Sequence, residues 1–246
     1  MRDLLLHVAS YPDPTPAEAI DDAVRFAGAT GASLTTLAVQ VDLRAPSNYL
    51  ASRLINLGGV IAEQEAKSLA ACQKAIRKAD EARSLLGVRG CSLLAKVDLY
   101  AVGQHVAVQA RTRDLCLVPM VDGADGQRSV AEAVVFGSGR PVLLFRPGRA
   151  SLPDGALGTV VVAWDGSRTA ARAVADALPL LRKAKEVRLL TVINDKSETT
   201  PGIAAGAVRH LRTHDIDAIA DEVDAAGRKV GRVFCDYAAE HRRPWS

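Results

Sequence analysis

The stretch Val160-Val161-Val162-Ala163-Trp164-Asp165-Gly166-Ser167 determines how the rest of the chain is interpreted. Three β-branched residues in a row predict a strand that is buried on both faces of a parallel sheet. The Asp-Gly-Ser turn that follows opens an alanine-rich helix, predicted over 168–182. A strand that leads directly into a helix N-terminus is typical of nucleotide-binding α/β units, because backbone N–H groups there face one spot. An equally good interpretation is that Asp165 or Ser167 only caps the helix.

The composition excludes several classes of function. The chain has 246 residues, of which 48% are hydrophobic and 24% charged, and its net charge is only +3. These values are typical of a globular protein. The scattered Lys and Arg and an aromatic content of 4% argue against nucleic-acid binding. No apolar run reaches the ~18 residues of a membrane span, and the N-terminal apolar segment is too short for a signal peptide. We therefore expect a cytoplasmic protein that does not bind membranes.

Neither a metal site nor a disulfide is predicted. The cysteines show no CxxC spacing and stand in apolar periodic segments, which favours buried, reduced thiols at Cys72, Cys91, Cys116 and Cys235. His210 and His214 lie four residues apart on a predicted helix, a spacing that can bind a metal. Because no third ligand is evident, a surface helix is the better interpretation. His7 and His105 are interpreted as packing residues.

One pattern of strands and helices starts twice. In the first half, strands are predicted at 4–9, 33–41, 91–97, 115–120 and 142–145, and helices at 16–30, 47–86, 101–111 and 128–136. In the second half, strands are predicted at 160–163, 187–193 and 218–223, and helices at 168–182, 202–213 and 230–240. The Pro/Gly-rich segment 146–157 separates the two copies. Alternation of strands with helices predicts a parallel sheet in each domain, 1–147 and 158–246.

The second copy stops before its fourth strand. Where that strand should begin, the sequence reads Arg242-Arg243-Pro244-Trp245-Ser246, and proline argues against a central strand. We therefore expect the second domain to lack its last two strands. Its first strand would then be an unpaired edge beside an exposed apolar face. Self-association through sheet edges is the expected consequence.

Four segments carry a resemblance to a known family: VVVAWDGS (160–167), RTAARAVADALPLL (168–181), VRLLTVI (187–193) and SVAEAVVFGSGRPVLLF (129–145). With them the chain resembles the universal stress protein family in its tandem, two-domain form. The resemblance implies two α/β domains of the flavodoxin and adenine-nucleotide-hydrolase type, with parallel sheets between helices. It also implies a cytoplasmic, dimeric stress-response protein. The family has ATP-binding and non-binding branches and no firmly assigned chemistry.

The resemblance places adenosine contacts at the ends of the first and second strands. In the second copy these positions are Ala163, Asp165 and Val192, with Ser167 at the helix start. The equivalent positions of the first copy fall at 8–10 and at Gln40, and no Asp stands at the turn. The adenosine half of a site is therefore expected only in the second copy.

The phosphate half is expected in the first copy, in degenerate form. The family's loop follows the fourth strand as G-x2-G-x9-G-[ST], so that backbone N–H groups reach the phosphates. Counting back from strand five puts its Gly-Ser pair at Arg128-Ser129, followed by Val130, so an arginine replaces the glycine. The segment 137–139 (Gly-Ser-Gly) is better interpreted as a helix C-terminus. Arg128 is either a side-chain substitute for the loop or a solvated residue at the helix start.

The sequence therefore predicts a non-catalytic stress-response protein that acts by assembly or binding. ATP binding is predicted to be weakened or lost, ATP is the one cofactor suggested, and no catalytic set of residues is found. One alternative is an adenine-nucleotide binder with slow hydrolysis that uses Asp165 and Ser167. Another is a two-domain flavodoxin-like redox or transport subunit.

Overall fold

The computed structural model describes residues 1–44, 57–123, 125–148, 157–194 and 199–241. The chain divides into two compact units, Met1–Ser151 (unit 1) and Leu152–Ser246 (unit 2). Each unit has a parallel sheet with helices packed on it, which confirms the predicted fold class. No helix among the described residues is both long and apolar enough to cross a membrane.

Unit 1 has a five-stranded parallel sheet with the strand order β3-β2-β1-β4-β5. The strands are β1 (Asp3–Ala9), β2 (Ser33–Asp42), β3 (Gly90–Asp98), β4 (Leu115–Pro119) and β5 (Val142–Phe145). The helices are α1 (Ala17–Thr30), α2 (Leu57–Leu86), α3 (Val102–Ala110) and α4 (Asp125–Gly137), and a 3₁₀ turn at Leu99–Ala101 precedes α3.

The core of unit 1 forms around β1. This strand is paired with β2 on one side and with β4 on the other. Its middle residues, from Leu4 to Val8, are all buried, because sheet neighbours flank both edges and helices cover both faces. The chain leaves β1 toward β2 and later returns across it to β4. The strand order therefore reverses at β1, and a crevice lies there at the carboxyl ends of the strands. Ligands bind in such crevices in open α/β sheets.

Unit 2 repeats the first three strands of this plan, and three of its elements have the same length as their counterparts. Its elements are β6 (Leu157–Ala163), α5 (Arg168–Leu181), β7 (Ala184–Ile193), α6 (Ala205–Arg212), β8 (Ala218–Asp224) and α7 (Val230–Glu240). Strand β6 matches β1 at 7 residues, β7 matches β2 at 10, and α5 matches α1 at 14. Among the described residues the sheet has three strands, in the order β6-β7-β8.

The prediction that 160–163 is buried on both faces is wrong. The residues of β6 are all at least partly exposed, and Ala163 is the most exposed of them. Within the described chain β6 pairs only with β7, so its other edge has no sheet neighbour. An apolar run specifies a strand, whereas the depth of its burial depends on what lies beside it.

Three further expectations need correction or fall outside the described chain. Helix α4 begins at Asp125 rather than at 128, so the predicted phosphate segment lies inside its first turns. Cys91 and Cys235 are exposed, because one lies on the edge strand β3 and the other on an outer face of α7, whereas Cys72 and Cys116 are buried as predicted. Residues 47–56 of the long predicted helix, 149–156 of the linker and the C-terminal 242–246 lie outside the described residues.

Candidate functional site

Unit 1 has a cavity of about 460 Å³ at the carboxyl ends of β1 and β2. Helices α3 and α4 form its opposite wall, so it occupies the crevice beside β1. Its size is within the range of small-molecule sites. The lining residues come from five segments: His7, Ala9, Ser10, Tyr11, Pro12, Asp13, Val39, Val41, Leu99, Tyr100, Val102, Gly103, Gln104, Gly126, Gln127, Ser129, Val130 and Ala133.

His7 is the most unusual of these residues. It lies in the middle of β1 and is only 1% exposed. Neither ring nitrogen has a hydrogen-bond partner in the described part of the chain. Burial lowers the pKa of His7 to about 4, so the imidazole is neutral at pH 7. A neutral imidazole has one N–H donor and one acceptor nitrogen, and both nitrogens of His7 are buried. The sequence-based interpretation of His7 as a packing residue accounts for its burial and leaves its two nitrogens unexplained.

Gln127 brings a second polar group to the same cavity. Its Oε1 accepts a hydrogen bond from the backbone N–H of Val121 at 2.8 Å, which fixes the side chain against the loop after β4. Its Nε2 is buried and has no partner among the residues described. No motif or spacing points to Gln127, because the loop that holds it is defined only by the tertiary structure.

The predicted phosphate segment is only partly at this cavity. Ser129 and Val130 line it, whereas Arg128 does not. The guanidinium Nε of Arg128 lies 3.0 Å from Glu132 Oε1, one helical turn away, and its side chain is 76% exposed. Of the two interpretations of Arg128, these observations favour the solvated residue at the start of the helix. At the other end of α4, the helix stops at Gly137 and Gly139 has a φ of +66°, as the interpretation of 137–139 predicted.

Unit 2 has a cavity of about 590 Å³ at the equivalent place, where β6 and β7 end. The four residues predicted there all line it, together with residues from α5 and α7: Ala163, Trp164, Asp165, Ser167, Thr169, Ala170, Ala173, Val192, Thr199, Val230 and Phe234. The sequence missed Phe234 and Val230, which reach the cavity from the start of α7.

Asp165 and Ser167 also organise the turn itself. Asp165 Oδ1 accepts a hydrogen bond from the Ser167 N–H at 3.0 Å, and Ser167 Oγ accepts one from the Ala170 N–H at 3.1 Å. Gly166 between them has a φ of +75°, and a Cβ there would lie 2.6 Å from Ile203 Cδ1. The capping interpretation of this turn therefore describes its hydrogen bonds, and glycine is required at its centre.

The two cavities share their framework and differ in polarity. The strand pairing makes Val41, rather than the predicted Gln40, the counterpart of Val192, and both valines line their cavities. The counterpart of His7 is Val161, which is not a lining residue. Each cavity has one lining carboxylate, Asp13 or Asp165, and neither has a lysine or arginine among its described lining residues.

The histidine pair of unit 2 lies at the end of a helix, beside an arginine. The rings of His210 and His214 meet edge to face, with their centroids 4.8 Å apart. His214 lies beyond the end of α6, and its Nδ1 is 3.3 Å from a guanidinium nitrogen of Arg182. In the described ranges, no group of three His, Cys, Asp or Glu is arranged to hold a metal ion.

The class of fold is defined by two α/β units. Each has a parallel sheet and a cavity at the carboxyl ends of its strands. No family model and no curated protein matches the sequence. Among solved structures, the chain is similar to a universal stress protein from Archaeoglobus fulgidus DSM 4304, with 14% sequence identity and a TM-score of 0.67 over 97% of this chain and 81% of that chain. It is also similar to a protein from the universal stress protein family of Burkholderia pseudomallei, with 21% identity and a TM-score of 0.37 over 58% of this chain and 96% of that one. The chain thus has the universal stress protein fold.

Proposed function

We propose that this chain is a non-catalytic binding protein with the universal stress protein fold, in which affinity for ATP is weakened or lost. The observation that carries this proposal is the charge of the two cavities. Neither has a lysine or arginine among its described lining residues, and each has a carboxylate. A triphosphate needs cations, a glycine-rich loop or a metal to offset its charge.

Two ion pairs in unit 1 and a helix cap in unit 2 support the same proposal. In unit 1, the Arg128 guanidinium is engaged with Glu132, and that of Arg146 lies 3.3 Å from Asp122. In unit 2, the side chain of Ser167 already accepts a hydrogen bond from the first turn of α5. A phosphate at that helix N-terminus would have to compete with the cap.

Thermal unfolding of the full chain with increasing ATP and magnesium tests the proposal. Ligand binding to the folded state stabilises a protein in proportion to the logarithm of ligand concentration over Kd. We expect no shift in Tm at millimolar ATP. Adenosine is the matched control without phosphates. A Tm shift that rises with ATP concentration and corresponds to a submillimolar Kd would overturn the proposal.

The second candidate function is slow hydrolysis of an adenine nucleotide in unit 2. Its support is the clustering of Ala163, Asp165, Ser167 and Val192 around one cavity. Asp165→Asn keeps an oxygen that can accept the Ser167 N–H, so it should preserve the turn while removing the charge. Release of ADP or AMP that is lost in Asp165→Asn would support this candidate. Turnover that is unchanged in that variant would rule out Asp165 as its basis.

The proposed mode of action includes self-association in the cytoplasm through a sheet edge. Strand β6 supports it, because it pairs only with β7 among the described residues and is partly exposed along its length. An unpaired edge is a template for another strand. Val161→Lys places a charge on this strand, and light scattering would show whether the mass in solution falls. An unchanged mass would place any association elsewhere on the chain.

A further inference from the structure

We propose that the amino edge of the unit 1 sheet binds an acidic, partly apolar peptide segment of another protein. This surface consists of the start of β1 and the segments that join each helix to the next strand, at 1–3, 31–32, 87–89, 111–114 and 138–141. It lies at the opposite ends of the strands from the unit 1 cavity. The inference therefore goes beyond the proposed function and does not depend on whether ATP binds.

The first argument is the charge of this edge. Four of the five strands, β1, β3, β4 and β5, are preceded by arginine, and these segments contain no lysine: Arg2, Arg89, Arg111, Arg113 and Arg140. The acidic residues in the same segments are Asp3 and Asp114. Five arginines against two aspartates give a net charge of +3, equal to that of the whole chain. These arginines are far apart in the sequence, and the parallel sheet gathers them because its strands all begin at one edge.

The second argument is that these guanidinium groups have hydrogen-bond donors available at the surface. Arg140 Nε donates to the carbonyl oxygen of Arg111 at 2.9 Å, and Arg111 Nη2 donates to that of Gly137 at 3.3 Å. These bonds orient the two side chains and use only part of the five N–H donors of each. In the described chain, Arg113 alone of the five arginines pairs with a carboxylate, that of Asp3 at 2.8 Å. The remaining donors match a carboxylate, which accepts two parallel bonds from one guanidinium.

The third argument is the set of exposed apolar side chains at the same edge. In a parallel sheet the crossover helices run back along the strands, so they end where the strands begin. Phe136 in the last turn of α4 is 87% exposed, and Leu85 and Leu86 at the end of α2 are 86% and 50% exposed. Arginine and aromatic side chains are enriched in protein interfaces, where lysine is depleted.

The combination of arginine with apolar side chains favours a protein over other anionic partners. A phosphate backbone offers leucine and phenylalanine no apolar surface, although it would attract the arginines. A lipid surface attracts lysine and arginine alike, whereas this edge has only arginine, the cation with a fork that matches a carboxylate.

The width of the edge fits a short extended segment. Arg89 precedes β3 and Arg140 precedes β5, and these are the two outer strands of the sheet. Strands are spaced by about 4.8 Å, so the outer strands are about 19 Å apart. An extended peptide rises about 3.3 Å per residue, so about six residues reach from one outer arginine to the other.

Fluorescence anisotropy with the full chain tests this inference. The probe is the fluorescein-labelled peptide EFEELE, and its matched control is QFQQLQ, which has the same apolar residues and no charge. At low salt we expect EFEELE to bind at least about tenfold more tightly than QFQQLQ, the effect of two or more exposed ion pairs. Binding of EFEELE should weaken as the NaCl concentration rises, because exposed charges are screened.

Two double variants with the same change of charge locate the binding surface. Arg2→Gln with Arg89→Gln removes two arginines whose side chains form no ion pair among the described residues, so the fold should be kept. This variant should bind EFEELE about tenfold more weakly. Arg44→Gln with Arg146→Gln is the control, since these arginines lie at the carboxyl edge and pair with aspartates. It should bind EFEELE like the parent, whereas Phe136→Ser should weaken binding.

Four results would overturn the inference. Equal losses in the two double variants would show that only the net charge matters, and equal binding of QFQQLQ would show that the arginines take no part. Tighter binding of an oligothymidylate or of phosphatidylserine vesicles than of EFEELE would assign the surface to a nucleic acid or a membrane. A mass in solution that falls in Arg2→Gln with Arg89→Gln would show that a second copy of the chain occupies this edge.

Discussion

Strands β1 and β6 are equivalent elements in different surroundings. Both have seven residues, and each pairs in parallel with a ten-residue strand in the same register. Strand β1 also pairs with β4, whereas β6 has no second neighbour among the described residues. As a result the middle of β1 is buried and the whole of β6 is partly exposed. The comparison shows that the strand pattern is local, whereas burial is a property of the sheet.

Strands β1 and β6 also differ in the polarity of one equivalent residue. The more deeply buried strand contains the polar residue, His7, and the more exposed strand has the apolar Val161 at the equivalent position. Hydrophobic burial alone favours the opposite distribution. The buried histidine therefore costs unit 1 stability, a cost that Val161 does not impose on unit 2.

The largest expected effect is the response of unit 1 to acid. Burial lowers the pKa of His7 from 6.5 to about 4, so the unfolded state binds the proton more readily. The stability of the neutral form is fully present above pH 6.5 and is lost as pH falls from about 6.5 to about 4. We expect this residue to remove about 3 kcal/mol of stability over that range. Urea unfolding followed by far-ultraviolet circular dichroism at pH 7 and pH 4 measures it.

Two controls separate this effect from the titration of carboxylates. His7→Leu should lack the His7 contribution while keeping every carboxylate, so the difference between it and the parent isolates the histidine. Unit 2 provides the internal control, because Trp164 packs against its core and its fluorescence reports on that packing. Equal acid sensitivity of unit 1 in the parent and in His7→Leu would contradict the assignment.

The next effect tests burial directly with one substitution at two equivalent positions. Val8 in β1 is 1% exposed, whereas its counterpart Val162 in β6 is partly exposed. Removing two buried carbons costs their transfer energy and leaves a cavity, so Val8→Ala should cost about 2 kcal/mol. Val162→Ala should cost at most about 1 kcal/mol, because solvent already reaches that side chain. Equal losses in urea unfolding would show that the free edge of β6 is covered in solution.

The sequence predicted the elements well because their signals are local. The apolar run at β1 and the helix after Ser167 have the predicted type and bounds to within one residue, whereas β6 begins at Leu157, three residues before its predicted start. The exposure of β6 and of Cys91 was mispredicted, because both depend on which strand lies next to them. No pattern within a single segment records that neighbour.

The candidate site divides in the same way. The family resemblance placed Ala163, Asp165 and Val192 together at the ends of two strands, and they line one cavity. The polar groups of unit 1 could not be found by spacing, since His7 and Gln127 come from β1 and from the start of α4. Only the tertiary structure shows that these two side chains share a cavity wall and have atoms without partners.

The smallest expected effect concerns a feature that the two units share. The sequence Val-Asp ends both β3 and β8, and in each case the carboxylate closes the following turn. Asp98 Oδ1 accepts from the Tyr100 N–H at 3.0 Å, and Asp224 Oδ1 accepts from the Ala226 N–H at 2.7 Å. The Ala226 N–H, followed by the amide of Asn194, holds the pKa of Asp224 below its usual value. Both turns should therefore respond alike to the loss of the carboxylate.

We expect Asp98→Ala and Asp224→Ala each to lower the urea midpoint slightly and to a similar extent, because each removes the acceptor of one exposed backbone hydrogen bond. The Asn variants keep an oxygen acceptor and should lose less than the Ala variants in urea unfolding. Because these contacts lie within two residues of the strand end, they should not depend on the number of strands in the sheet. A loss confined to one unit would mean that these turns, like the burial of β1 and β6, are determined by their surroundings rather than by the local sequence.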